Sequence, residues 1–182
     1  MNTFLVVLFI IIVLALVILI SYVVLYNKIN ETIIRINEAE NRIDNNLRDK
    51  YDTLNRVSIL IKNKIKIKDN TFSDLLKLKS MKISNFELDR MLVKVHDEFI
   101  SVYEKNKELR DSDEIYKASK QLDLIDEELV TLRNYYNGNI ASYNKMIKKF
   151  PTLIIARIKK YEEKTFYDLK NQNDDDYEDF KL

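Results

Sequence analysis

Cysteine and tryptophan are absent from this 182-residue chain, and glycine, proline and histidine occur once each. Without cysteine there is no disulfide, no thiolate nucleophile and no cysteine-ligated zinc. That absence fits a reducing compartment. With Gly138 as the single glycine, no glycine-rich phosphate loop can be built. The paired Glu-x-x-His motifs of a di-iron bundle are excluded as well, because His96 stands alone and Val93 occupies the position three residues before it. Nor is there an excess of charge of one sign. The net charge is +1, which creates no global field to attract nucleic acid. Few turn-formers combined with 32% charged residues point to long solvated helices carrying an apolar stripe, not to sheets with tight turns.

The amino terminus, by contrast, is rich in apolar residues. From Phe4 to Ile20 every side chain is apolar, and Ser21 is the only clearly polar residue before Tyr26. A helix over Phe4 to Tyr26 would be about 34 Å long, enough for the hydrocarbon core of a bilayer, which takes about 20 residues. Lipid offers the backbone no hydrogen-bond partner, so a single span must be helical. Tyr22 and Tyr26 fall where amphipathic rings prefer the headgroup level. A cleaved signal peptide would carry an early Lys or Arg, a shorter apolar run and a small-x-small cleavage site, and none of these is present. Lys28, Arg35 and Arg42 follow the run, and nothing basic precedes it. By the positive-inside rule the amino terminus faces out and the domain after the span faces the cytoplasm.

The rest of the chain reads as helices. Ile29, Ile36, Ile43 and Val57 share a seven-residue column interrupted by Lys50. Ile33, Leu47, Leu54 and Ile61 form its companion, interrupted by Glu40. This 4-3 spacing is a bundle or coiled-coil seam, and it predicts a first helix running to about Ile65 with no break after the span. Lys62, Lys64, Lys66 and Lys68 would lie too far away to touch anionic lipid. Lys62 is about 54 Å beyond Tyr26 on a straight helix, against a Debye length of about 8 Å. A turn over Asp69-Asn70-Thr71 and a short helix over 72–81 follow.

Ser84-x-x-Glu87 matches a capping box. It opens a second long helix with Leu88, Val95, Val102 and Leu109 in column, Leu92 and Phe99 beside them, and an end near Arg110. Asp111-Ser112-Asp113 is the next turn and N-cap. The third helix has one column, Ile115, Leu122, Leu129, Tyr136, Tyr143 and Phe150. Its companion column runs Ala118, Ile125 and Leu132, then shifts by one to Ile140 and Ile147. Asn137-Gly138 is a turn signal by itself, but the main column keeps its phase across it, which predicts one uninterrupted helix. After Pro151 a fourth helix is expected over 152–170, with Ile154, Ile158, Tyr161 and Leu169 as its buried stripe. The acidic tail from Asp174 to Asp179 is expected to be disordered. The pattern predicts an all-α protein: an N-terminal transmembrane helix (1–27), an antiparallel four-helix bundle (28–170) and an acidic tail (171–182).

Two stretches carry a resemblance. One is Tyr26-Asn27, Ala39, Ile43-Asp44-x-x-Leu47 and Tyr51-Asp52. The other is Arg133-x-Tyr135-Tyr136-Asn137, Tyr143-Asn144, Phe150-Pro151, Ile155-Ala156 and Phe166. In this order they resemble the LemA family of bacterial membrane proteins, over the span, the first helix and the chain from about Asp126 onward. The chain departs from the family pattern at Glu40, Asp49-Lys50, Asn55 and Asn106-Lys107, and about Lys68 to Arg110 shows little match. The resemblance implies an N-out single-pass protein with a cytoplasmic helical bundle, and it implies no reaction.

The residues themselves offer no catalytic set. His96 has Leu92, Val93, Phe99 and Ile100 one turn away and reads as a bundle histidine, since a catalytic base needs partners in geometry. Asn137 and Asn144, like Tyr136 and Tyr143, lie seven apart on one helical face. They read as register-fixing residues, with a recognition site as the sharper alternative. Ala39, Ile43, Asp44, Leu47, Arg133, Tyr136, Asn137, Tyr143, Asn144, Phe150 and Pro151 are therefore structural motif residues. No cofactor or metal is expected. The expected function is that of a non-enzymatic scaffold or adaptor, held in the bilayer through Phe4 to Tyr26 and working with a protein partner or further copies of itself. The alternative is a regulatory or accessory subunit of a larger membrane complex such as a transporter or protease.

Overall fold

The computed structural model describes residues 3–67, 71–78 and 83–167. Every element in it is a helix: α1 Thr3–Lys64, α2 Ser73–Leu78, α3 Asn85–Lys105, α4 Lys107–Arg110, α5 Asp113–Lys148 and α6 Thr152–Lys159. The all-α expectation holds, with a long apolar N-terminal helix followed by further helices. Among the described residues one helix, α1, is long and apolar enough to cross a membrane. The acidic tail, Leu169, Lys68, Asp69 and Asn70, and residues 79–81 of the expected short helix lie outside the described residues.

The described residues fall into two compact units, one within Met1–Ala39 and Tyr135–Phe166, the other within Glu40–Asn134 and Tyr167–Leu182. In the first unit, Ile29, Ile36, Ile140, Tyr143, Ile147, Ile155 and Ala156 form the core, with Leu25, Tyr26, Ile33, Tyr136 and Tyr161 packed against it. The apolar side chains of the span, by contrast, are exposed from Phe4 to Val24 except for the half-buried Val6.

In the second unit most of the predicted column positions are buried: Ile43, Leu47, Leu54, Val57 and Ile61 from α1, Leu92, Val95 and Phe99 from α3, and Ile115, Leu122, Ile125, Leu129 and Leu132 from α5, whereas Leu88 and Val102 of α3 are only half-buried. Cross-helix pairs give the directions. Arg42 meets Glu128 and Arg56 meets Gln121, so α1 and α5 are antiparallel. Arg133 meets Asp89 and His96 meets Asp126, so α3 and α5 are antiparallel too. It follows that α1 and α3 run the same way, with α2 in the connection between them.

Helix ends depart from the sequence pattern at three places. The second long helix stops at Lys105 instead of near Arg110. Asn106 is extended (φ −119°, ψ 111°) and starts the separate turn α4. Its side-chain amide donates to the Val102 carbonyl at 2.7 Å, a local bond that competes with the helical ladder. At the second place α5 ends at Lys148, so Phe150 is 74% exposed and does not extend the buried column. Pro151 has no N–H to continue the ladder, and the Thr152 hydroxyl takes the carbonyls of Met146 and Lys149.

The third place is the fourth helix, which ends at Lys159 and not near residue 170. Lys160 is left-handed (φ 53°, ψ 43°), and the N–H of Tyr161 returns to the Ala156 carbonyl at 2.9 Å, closing the helix as a C-cap does. The expected stripe holds at Tyr161, which packs against the first unit's core, and fails at Ile154 and Ile158. Both isoleucines are exposed, while Ile155 and Ala156 are buried. Residues 161–167 are not helical.

The capping box is formed as expected, with Glu87 N–H on the Ser84 hydroxyl and Ser84 N–H on the Glu87 carboxylate. Gly138 lies inside α5, its φ is not positive, and beyond its chain neighbours and the adjacent helix backbone no atom lies within 4 Å of where a Cβ would sit. Gly138→Ala should therefore raise stability by up to about 1 kcal/mol, the helix-propensity difference between the two residues. Thermal melts of the detergent-solubilised protein measure it. A loss of stability in the alanine variant would place a turn at Asn137-Gly138.

Candidate functional site

The second unit contains two polar clusters built from residues that would otherwise be core. The first centres on Asp126. Lys50 sits in the α1 column between Ile43 and Val57 and is only 1% exposed. A buried ammonium needs a counter-charge. α5 supplies it, with Lys50 Nζ 2.5 Å from Asp126 Oδ1. From α3, His96 Nδ1 lies 2.8 Å from the other carboxylate oxygen, and its ring stacks on Phe99. Burial works against ionisation of Asp126. Hydrogen bonds from His96 and Lys50, and the charge on Lys50, outweigh it and hold the carboxyl below the usual range.

A carboxylate on Nδ1 is the arrangement that orients an imidazole for base catalysis. Such a base needs a nucleophile at the other nitrogen. His96 Nε2 is buried and has no hydrogen-bond partner among the described residues. Among the described residues, therefore, the pair shows the orienting contact of a catalytic dyad and no hydrogen-bonded nucleophile.

The second cluster centres on Asp89, which is fully buried on α3. Arg133 of α5 places Nη2 at 2.7 and 2.6 Å from its two carboxylate oxygens. Tyr167 donates its hydroxyl to Asp89 at 2.9 Å and also reaches the Asn85 carbonyl at 3.3 Å. The Tyr167 ring meets Phe86 edge-on at 5.6 Å, and the Arg133 guanidinium lies 5.9 Å from its centre. Burial, followed by the neighbouring Asp89 charge, pushes the Tyr167 phenol far up. It therefore acts as a hydrogen-bond donor and not as a phenolate nucleophile.

The structure separates the motif residues singled out in the sequence. Ala39, Ile43, Leu47 and Tyr143 are buried, and Tyr136 packs against the first unit's core. Asp44 is spent on Arg48 one turn away, at 2.9 Å. Phe150 and Pro151 are exposed and Asn137 is half-buried. Asn144 holds a backbone segment in place. Its side-chain N–H donates to the Lys164 carbonyl at 2.8 Å, and its side-chain oxygen accepts the Lys164 N–H at 2.9 Å. The clamped segment is the non-helical stretch after α6, whose Tyr161 hydroxyl reaches Asn30 at 3.2 Å. Among the described residues no group of acidic, histidine or cysteine side chains could hold a metal ion.

Sequence reasoning missed Asp89, Asp126 and Tyr167. Lys50 was visible as a charge breaking an apolar column, which signals a buried partner, but the column does not say which carboxylate answers it. A family model, that of the LemA family, matches residues 39–178. No curated protein matches the chain.

The Asp126 cluster generates a paired test. Asp126→Ala strands the Lys50 charge in the core and should cost about 2–3 kcal/mol, somewhat under the value for a fully buried pair because Asp126 keeps some solvent contact. Lys50→Met restores an apolar column and should cost less than about 1 kcal/mol or stabilise. Because the folded-state pKa of Asp126 is lowered, its contribution is complete above the ordinary value, about 3.9. It is lost as pH falls through the folded value. Denaturation curves should show the gap between the parent and Asp126→Asn closing below about pH 4. Equal costs for Asp126→Ala and Lys50→Met, or a gap independent of pH, would refute this reading.

Proposed function

The chain belongs to the LemA family, and from that premise we propose that it is a single-pass membrane protein whose helical domain works at the cytoplasmic face as a non-enzymatic scaffold or adaptor. One observation carries the reading, a contrast along α1. From Phe4 to Val24 no apolar side chain is buried, while beyond Tyr26 burial follows one stripe that starts with Ile29 and Ile36 and continues through Ala39, Ile43 and Leu47. An exposed apolar surface of that extent belongs in lipid.

The orientation rests on Lys28, Arg35 and Arg42 beside an uncharged amino-terminal flank. The non-enzymatic reading is supported by how the conspicuous polar residues are used. Asp89 takes up Arg133 Nη2 and the Tyr167 hydroxyl, while Arg133 Nε, like His96 Nε2, has no hydrogen-bond partner among the described residues. Such a domain presents surfaces and holds its shape, which is what an adaptor needs.

Topology is the testable part. Protease added to intact cells should leave the domain after Tyr26 whole and degrade it only once the membrane is opened. Digestion in intact cells would reverse the orientation and with it the cytoplasmic role. Mild solubilisation and pull-down then tell self-association, expected for a scaffold, from a stoichiometric partner, which would mark a subunit of a larger complex.

A further inference from the structure

From α6 and the corner before it, we infer a second membrane contact: an interfacial helix that lies on anionic lipid beside the span. This rests on the reading of Phe4 to Tyr26 as the anchor. Three observations within the first unit converge on it. Ile154 and Ile158 lie one turn apart on the same face of α6 and are 52% and 63% exposed, and Phe150 leads into that face from the corner. The opposite face, Ile155 and Ala156, is already buried in the core with Ile29. The exposed stripe is therefore surplus to the fold.

Charge is the second observation. Between Ile147 and Tyr161 the chain carries Lys148, Lys149, Arg157, Lys159 and Lys160 and no acidic residue, and of these Lys148 is paired with Glu163 at 2.8 Å. An apolar stripe flanked by basic side chains is the composition of a helix that lies in the plane of a lipid interface.

Height is the third. Lys159 Nζ is 5.3 Å from the centre of the Tyr26 ring, and Tyr161 reaches Asn30. Tyr26 is only two residues, about 3 Å, past the last exposed apolar residue of the span, Val24. The end of α6 thus sits at headgroup level, inside a Debye length of about 8 Å. The same criterion rejects the Lys62 to Lys68 series. Basic side chains at this height gain attraction from anionic lipid, and the apolar stripe gains burial at the headgroup boundary. A protein partner would need neither the height nor the excess of positive charge.

The absence of native cysteine makes the test direct. Full-length protein carrying a single Leu16→Cys, Ile154→Cys or Glu38→Cys change is labelled with an environment-sensitive fluorophore. It is reconstituted in phosphatidylcholine vesicles with or without phosphatidylglycerol, and quenching by spin-labelled lipid is read. Leu16 should be quenched in both vesicles. Ile154 should be blue-shifted and quenched in the anionic vesicles, and should lose most of that signal when Arg157, Lys159 and Lys160 are changed together to Gln. Glu38, about 18 Å beyond Tyr26 along α1, should remain unquenched. Quenching at Leu16 without quenching at Ile154 overturns the interfacial helix, leaves the anchor standing and hands the stripe to a protein partner. No quenching at Leu16 overturns the anchor itself. Quenching at Ile154 that ignores both lipid charge and the Gln changes overturns the anionic-lipid specificity.

Discussion

A peptide backbone in hydrocarbon must satisfy its own hydrogen bonds, and this requirement organises the chain from its first turn. The first part of α1 is long and apolar enough to cross a membrane, and a single segment placed in lipid can only be helical. No glycine or proline interrupts the sequence between the span and Lys64, so the helix continues and carries its phase with it. Ile29 and Ile36 emerge on one side at seven-residue spacing. The first unit's core assembles on that side, with Ile140, Tyr143 and Ile147 from α5 and Ile155 and Ala156 from α6. The same column continues through Ile43, Lys50 and Val57.

Within the second unit, buried charge decides how the helices meet. Apolar columns alone tolerate sliding by a turn, because one leucine fits much like the next. Asp126 accepts Lys50 from α1 and His96 from α3, and Asp89 accepts Arg133 from α5 and the Tyr167 hydroxyl. Buried pairs of this kind add little net stability over apolar replacements, because desolvation offsets attraction, and they penalise every register that separates the partners. Lys50 and Asp89 occupy core positions, where an apolar residue would pack without needing a partner. The arrangement is that of a domain selected for one geometry.

The sequence made the periodic features readable and the long-range ones opaque. Most of the columns of α1, α3 and α5, the capping box at Ser84, and the passage of α5 through Gly138 follow from spacing and local chemistry and are as expected, with Phe150 exposed and Leu88 and Val102 only partly buried. The one-residue shift from Leu132 to Ile140 is likewise seen in burial. The errors cluster where a distant group captures the backbone or a charge. Tyr161 to Tyr167 looked helical by composition. Capture of Lys164 by Asn144 and of Tyr161 by the first unit's core replaces the bonds a helix would have supplied. Lys50 announced itself, but Asp126 lies 76 residues away and resembles any other acidic residue on an exposed face. Phe150 matched the column by number and failed it because α5 stops two residues earlier.

The central claim is that the apolar span and the buried stripe belong to one unbroken helix. Amide hydrogen exchange across Val24 to Ile36, measured on the full chain in lipid nanodiscs, tests it most directly. Continuous slow exchange from the span through Ile29 to Ile36, with no fast-exchanging residue at Tyr26, Asn27 or Lys28, is the predicted result. A window of rapid exchange at those residues would mean a hinge. The phase of the stripe would then not be inherited from the span, and the organising role given to α1 would be contradicted.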